Sequence, residues 1–360
     1  MTRARELGIP LPGETGPANA ITDVPGVEVG YTTLVEGESA RTGVTAILPR
    51  GRAGFAKPCA AGTYSLNGNG EMTGTAWLAE TGSLGLPVLL TNTHAVGPCH
   101  RGVIDWVVRE RPDVASQWLL PVVAETWDGY LNDVNASTIR PEHAGAALDA
   151  ARGGPIAEGS VGGGTGMMCY GFKGGTGTAS RVVSYGADAY TVGALVQANF
   201  GARRELTVAG VGVGAELAGD NPMEDRNWLA PPGSGSVIVV LGTDAPLLPG
   251  QCAALARRVP LGLARTGTTG SHFSGDLFLA FSTANPGALT STFPVSTEAA
   301  YESLRFVPWG RIDPFFEAVV HVVEEAVLNA LVANEPMVGR NGHRAPALPV
   351  DRLAALLQRK

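Results

Sequence analysis

The sequence predicts a mixed α/β or α+β protein with more strand than helix before residue 236, on three observations. Short apolar runs rich in Val, Ala and Leu recur between clusters of Gly, Pro, Asn and Asp, the pattern of buried strands joined by tight turns. Glycine supplies 49 of the 360 residues, near double the common share of about 7%, which suits compact layers with many sharp reversals. Helical spacing is clear near the C-terminus, where apolar residues recur every three to four positions from Phe316 to Leu331.

Taken in order, residues 21–50 read as short strands punctuated by turns, and 58–75 as turn-rich, with "NGNGE" a strong local breaker. "LGLPVLLTNTHAVG" places a buried strand at about 86–92 followed by a polar exit loop. "PEHAGAALDAARGG" is a helix with Pro141 in its first turn, closed by Gly153 and Gly154. A glycine-dense segment follows at 161–181. "TASRVVSY" and "AYTVGALVQAN" are two strands joined at Gly186-Ala187-Asp188. Residues 217–235, rich in Gly, Pro, Asn and Asp, are the one candidate linker and end where the buried strand "SVIVVLGT" begins at Ser236. A helix at about 249–259 is stopped by Pro260, and "GDLFLAFST" is another buried strand. Asp313 and Pro314 stand as N-cap and first residue of the last helix. Its apolar stripe runs through Phe316, Val320, Val323, Val327 and Leu331, with Glu317, His321, Glu324 and Glu325 between. No repeat or low-complexity tract divides the chain, so one domain over 1–360 is expected.

Composition narrows the function. Charged residues are 16% of the chain against a usual figure of about 25%, so little charge covers the exterior and an oligomer is suggested. The net charge is −7 and no cluster of Lys or Arg exceeds a pair, which argues against nucleic acid and anionic membranes. Cys59, Cys99, Cys169 and Cys252 are far apart and form no CxxC. The N-terminus lacks the apolar core of a signal peptide, and no apolar run approaches the roughly 18 residues of a membrane span. A soluble, cytoplasmic protein is expected.

Several motifs invite chemistry. "GGGTG" at 162–166 lacks the Lys-Ser/Thr of a phosphate loop and leads into strand, so close backbone approach explains its glycines better than a nucleotide. The six histidines form no HExxH, and His94, Cys99 and His100 sit in a loop setting that suits a metal poorly. No GxSxG is present. Ser236 offers another route. A serine after glycine at a strand entrance can attack its own upstream carbonyl; hydrolysis of the ester frees an α-amine, which then serves as base for the hydroxyl beside it. Gly235 suits this because it has no Cβ. Ser274 and Asp276 head the strand "SGDLFLAF". If the helix between makes a crossover, the two strands run parallel and Ser236 faces Ser274 and Asp276, which could orient the amine. The plainer alternative is that Asp276 caps a turn and Ser274 bonds its own backbone.

The pieces "ITDVPGVEVG", "NGNGEMTG", "TNTHAVG", "AETWDGYLND", "FKGGTGTASR", "LVQANFG", "SGSVIVVLGTDAPLLP", "ARTGTTGSHFSGDLFLAFSTAN" and "EEAVLNAL" together resemble the L-aminopeptidase/D-amidase/D-esterase family. That family includes the β-peptidyl aminopeptidases, and the resemblance runs in order from about residue 20 to 340. It implies a four-layer αββα sandwich of α+β class, self-cleaved between Gly235 and Ser236 into an α-chain 1–235 and a β-chain 236–360. Ser236 would be the nucleophile, with Ser274 and Asp276 matching the family's Ser-x-acid pair. Asn199 matches the oxyanion donor. Glu125 fits the carboxylate that receives the substrate's free amine, with Asp128 and Asp133 as competitors, and Tyr130 a wall or donor of the pocket. The implied activity removes small N-terminal residues from short peptides, amides or esters, without metal or organic cofactor, in a tetramer of αβ units. An acyltransferase of the ornithine acetyltransferase type is the alternative, although such enzymes carry threonine at the cut; an uncleaved binding protein is another.

Overall fold

The structure, a computed structural model, describes residues 2–224, 233–294, 297 and 299–358. Two sheets carry the fold. The first consists of β1 (Glu28–Glu36), β2 (Ala40–Leu48), β5 (Val88–Asn92) and β6 (Val122–Thr126), hydrogen-bonded in that order. The second runs β4 (Ser83–Leu84), β3 (Cys59–Gly68), β10 (Ser274–Ser282), β9 (Gly233–Thr243), β8 (Asp188–Gly201) and β7 (Gly175–Tyr185). Neighbours are antiparallel except β5 with β6 and β9 with β10. Each parallel pair is joined through helix, as parallel strands require: α1 (Val96–Glu110) lies between β5 and β6, and α3 (Pro249–Ala256) and α4 (Val259–Arg265) lie between β9 and β10.

The sheets pack face to face and helices cover both outer faces, giving the expected four-layer αββα sandwich. Strand β9 shows why. Its uninterrupted apolar run splits by the two-residue period: Ile238 and Val240 enter the core between the sheets with Leu90, Ala124 and Leu279. Val237, Val239 and Leu241 enter the core under α3, α4 and α5 (Asp313–Val332). A strand covered on both faces has no need of polar alternation. On the far side, Cys99, Val103, Trp106 and Val107 of α1 and Ala144, Ala147 and Leu148 of α2 (Pro141–Asp149) pack on Val44, Ala46 and Leu89.

Four local expectations change. Residues 59–68, read as turn-rich, form the central strand β3, because Ala61 and Thr63 pair with Phe281 and Leu279 of β10; small residues become strand when a neighbour supplies the ladder. The polar exit after residue 92 is a 3-10 turn, Thr93–Ala95, and then α1, so His100 lies on a helix and Cys99 faces the core. Pro260 does not end helical structure but opens α4 from its first turn. Strand β9 starts at Gly233, so Gly233, Ser234 and Gly235 belong to the strand, while Pro231 and Pro232 lie outside the described residues.

The last helix is also less amphipathic than its sequence suggests. Glu324 and Glu325 are buried. Glu324 pairs with Arg265, and Glu325 pairs with Arg181 and Arg5.

Candidate active site

The strand ends of the second sheet meet the edge of β6 around a cavity of about 530 Å³. Ser236, Asn199, Glu125 and Tyr130, singled out separately in the sequence, all line it. Ser236 shares the face of Ile238 and Val240, so its side chain enters the space between the sheets, where its hydroxyl accepts a hydrogen bond from the Trp127 backbone N–H at 3.2 Å. It is 2% exposed.

The bond before Ser236 lies at an irregularity in the ladder. Ser236 pairs with Asn199, but the next pairing of β9 with β8 is Gly233 with Gly201, so Ser234 and Gly235 together answer the single residue Phe200. The extra residue is a β-bulge at Ser234-Gly235, a feature that re-aims backbone beside functional sites. Gly235 is required here sterically: a Cβ would stand 1.9 Å from the Asn199 carbonyl oxygen.

Asn199 is held in one orientation. Its Oδ1 accepts from the Met168 N–H at 2.9 Å, and its Nδ2 donates to the Trp127 carbonyl at 2.9 Å. That pattern assigns the amide and leaves its second Nδ2 proton beside the cavity.

Glu125 is the penultimate residue of β6, and its carboxylate accepts from the Glu71 N–H at 3.0 Å and from the Thr93 hydroxyl. Burial, opposed by the Thr93 and Glu71 hydrogen bonds, holds its carboxyl above the usual range, so a cation in the cavity would relieve it. The competing carboxylates stand apart from the cavity lining. Asp128 is buried behind the turn, bonded by Asn132 at 3.0 Å, with its carboxyl pushed up to about 7 by burial. Asp133 accepts from the Asn135 N–H at 3.2 Å. Tyr130 stacks on His343, ring centres 4.5 Å apart.

Ser274 and Asp276 are placed differently from the expectation. β9 and β10 are parallel as anticipated, with Gly235 opposite Ser274, Ser236 opposite Gly275 and Val237 opposite Asp276. The pleat then puts Ser274 and Asp276 on the face of Phe278 and Ala280, under the helices, while Ser236 is on the other. The three are lateral neighbours whose side chains leave the sheet on opposite sides. The plainer alternative for the pair also fails, since both lie in strand. The Ser274 hydroxyl donates to Asp276 Oδ1 at 2.6 Å, and Asn67 Nδ2 reaches Asp276 Oδ2 at 3.1 Å. Burial raises the Asp276 carboxyl above its usual range despite these bonds.

Sequence reasoning missed Trp127, Thr93 and Asn67. The first two contribute a backbone amide and an exit-turn hydroxyl, which no side-chain motif marks; Asn67 lay in a stretch read as a breaker and as part of the resemblance, with no role assigned to it. The glycines of 162–166 do lie against neighbouring backbone: a Cβ on Gly164 would stand 2.4 Å from the Thr176 nitrogen, and one on Gly166 2.1 Å from the Arg41 oxygen. Among the described residues, no group of three or more His, Cys, Asp or Glu is arranged to hold a metal ion.

Comparison with known proteins bears on all of this. Peptidase family S58 matches residues 19–345. The chain is 48% identical over 374 aligned positions to the beta-peptidyl aminopeptidase BapA of Sphingosinicella microcystinivorans, spanning 99% of this chain and 92% of that one. The BapA of Sphingosinicella xenopeptidilytica is 44% identical, over 99% and 91%. Among solved structures, the L-aminopeptidase D-Ala-esterase/amidase of Ochrobactrum anthropi superposes with a TM-score of 0.92 at 45% identity, covering 100% of this chain and 99% of that one. It is described as a prototype of the serine aminopeptidases and a variant of the Ntn hydrolase fold. A beta-aminopeptidase from Burkholderia sp. gives 0.89 at 46% identity, with 99% of each chain covered.

Proposed function

The chain belongs to peptidase family S58 and is an aminopeptidase, a peptide-bond hydrolase of the Ntn fold, and on that premise we propose that Ser236 is its nucleophile, uncovered by self-cleavage after Gly235. The observation that carries this is the convergence of Ser236, the Trp127 N–H, Asn199 and Glu125 on one cavity.

In self-processing, Ser236 Oγ attacks the Gly235 carbonyl carbon. The new C–O bond replaces the C–N bond, and the hydroxyl proton passes to the departing α-amine. Water then hydrolyses the ester, leaving Gly235 as a carboxylate terminus and Ser236 as an amino terminus. The bulge and the absence of a Cβ at Gly235 give the carbonyl room to tilt. In catalysis the free α-amine takes the proton of its own hydroxyl as Oγ attacks a substrate carbonyl. The oxyanion lies against Asn199 Nδ2, an amide already aimed before the reaction. Collapse of the tetrahedral adduct releases the leaving amine with that proton, and water resolves the acyl-enzyme.

Ser274 and Asp276 act on the α-amine rather than on the hydroxyl. The nitrogen of Ser236 lies in the plane of the sheet between its two faces, and a freed chain end can turn toward the strand where Asp276 is desolvated. The ammonium formed when the amine takes the hydroxyl proton is stabilised there and offsets the cost of burying that carboxylate. Glu125 receives the substrate's amino group, and Tyr130 walls the cavity. A cavity lined at one end by Glu125 and Glu71, with Phe200, Met168 and Phe273 around it, suits short peptides, amides or esters with a small N-terminal residue.

The same reading includes a cytoplasmic setting and an oligomer of αβ units. All four cysteines are free and buried, and among the described residues no helix is long and apolar enough to cross a membrane. Trp118 and Phe293, 75% and 50% exposed, meet at the surface with ring centres 4.5 Å apart and planes tilted by 41°, an apolar face that suits a second copy. Denaturing mass analysis tests the central claim. Two fragments splitting between residues 235 and 236 are expected, and a single 37.1 kDa species from freshly purified active protein would overturn it.

A further inference from the structure

Lys173 is a buried charge that the mechanism leaves unused, and it differs from the buried Arg181–Glu325 pair in how it is held. It is 0% exposed, and among the described residues no carboxylate forms an ion pair with it. Its ammonium instead donates to three carbonyls: Gly174 at 2.8 Å, Met167 at 2.9 Å and Gly164 at 3.4 Å. Three donors facing three acceptors use the full capacity of an ammonium. An isolated buried cation costs several kcal/mol on the order of other buried ions, and burial pulls its pKa down to about 7. Stability alone would favour an apolar side chain at this position.

What the charge touches suggests its use. Met168–Cys169 and Phe172–Lys173 are the arms of a tight hairpin in which Lys173 stands directly opposite Met168. The Met167 carbonyl that Lys173 grips and the Met168 N–H belong to one peptide unit, and that N–H holds Asn199 Oδ1 at 2.9 Å. A single line therefore runs from ammonium to carbonyl, through a peptide plane, to the amide facing the cavity. Each bond in such a chain polarises the next. The hairpin tip is fixed independently: Tyr170 and Gly171 hold positive φ of 53° and 69°, and Arg203 donates to their carbonyls at 2.7 and 2.6 Å.

We propose that Lys173 is a positioning residue for the oxyanion donor, fixing and polarising the Asn199 side-chain amide through the Met167–Met168 peptide. This rests on the reading of Asn199 as that donor and adds the residue behind it.

A double-mutant cycle on fully processed protein, with an amino-acid p-nitroanilide as substrate, tests it. Asn199→Ala should lower kcat by about 10²–10³-fold, the usual loss for one such donor. Lys173→Met should lower kcat about tenfold or more and leave KM within about twofold, because the oxyanion forms only in the transition state. Combined with Asn199→Ala, Lys173→Met should cost nothing further, since its effect passes through that side chain. Losses that multiply, or a KM that moves with kcat, would overturn the proposal. Lys173→Gln keeps two N–H donors without the charge and serves the same cycle if the methionine variant is insoluble; insolubility of both would mark Lys173 as a structural residue only. A Ser236→Ala protein that retained activity would overturn the nucleophile assignment separately, leaving the measured Lys173–Asn199 coupling as it stands.

Discussion

Gly235 packs directly on the backbone carbonyl of Asn199: a Cβ added to the glycine would stand 1.9 Å from that oxygen. The clash is with backbone, in a ladder whose next pairing is Ser236 with Asn199, so no flexible side chain can absorb it. Gly235→Ala should therefore displace the bond to be cut from the hydroxyl that attacks it. We expect conversion of the 37.1 kDa chain to fragments to slow by at least tenfold, a misalignment effect of the size small displacements produce. A time course after translation, followed by mass, checks this; conversion at the normal rate would mean that the close approach is irrelevant to processing.

Ser236→Ala tests the nucleophile with little risk to the fold. The side chain is buried, and among the described residues its hydroxyl has one hydrogen bond, 3.2 Å from the Trp127 backbone nitrogen, so a methyl group fits the same space. The expected product is a soluble uncut chain with no measurable turnover. A cut at the same bond in this variant would assign the attacking group elsewhere.

Glu125 makes an opposed pair of predictions for stability and binding. Its folded-state pKa is raised, chiefly by burial. A group of that kind contributes stability below its unfolded pKa, and loses it as pH rises through the folded one. At neutral pH the buried carboxylate is a cost, and Glu125→Gln should raise the thermal midpoint by about 1–3 °C. Binding moves the other way, because the same carboxylate would hold the substrate ammonium. Removing one partner of a desolvated charge pair costs about 2 kcal/mol or more, so KM should rise roughly 30-fold. For the native protein, KM should rise as pH falls through the raised pKa. Thermal melts and KM measured from pH 4 to 8 check both; a variant less stable and unchanged in KM would contradict the assignment.

Much of this site was legible because its signals are local. Ser236, Ile238 and Val240 mark one face of β9 by a period of two, and the helical run after residue 249 implied the parallel neighbour that carries Ser274 and Asp276. The pleat relation between them was not legible, since it depends on which residues stand opposite across the pair: Ser236 opposite Gly275 puts the three side chains on two faces. Strand β3 escaped because Ala60, Ala61 and Gly62 have little strand preference of their own and acquire it from β10. Helix α1 escaped because "TNTHAVGP" looks like loop until Cys99, Val103, Trp106 and Val107 repeat beyond Pro98. Lys173 was invisible for another reason. Its partners are main-chain carbonyls, which leave no mark in a sequence.

The ion cluster at the N-terminal segment should set the acid limit of the protein. Arg181 is 2% exposed and donates to Glu325, itself buried, at 2.6 Å; Arg5 reaches the same carboxylate at 2.9 Å, and Asn19 Nδ2 at 2.6 Å. Burial alone would raise the Glu325 pKa, but the Arg5 hydrogen bond and the Arg181 charge outweigh it and hold the carboxyl below its usual range. A carboxylate depressed in this way gives stability that is present above its unfolded pKa and lost as pH falls through the folded one. Melting midpoints should thus decline below about pH 4, the region where an unperturbed glutamate begins to protonate. Glu325→Gln should lose about 3–5 kcal/mol at pH 7, the cost of stranding a buried guanidinium, and should flatten the acid decline. Urea titrations of both proteins at pH 7 and below pH 4 check it. An acid decline of equal steepness in the variant would show that other carboxylates set the limit.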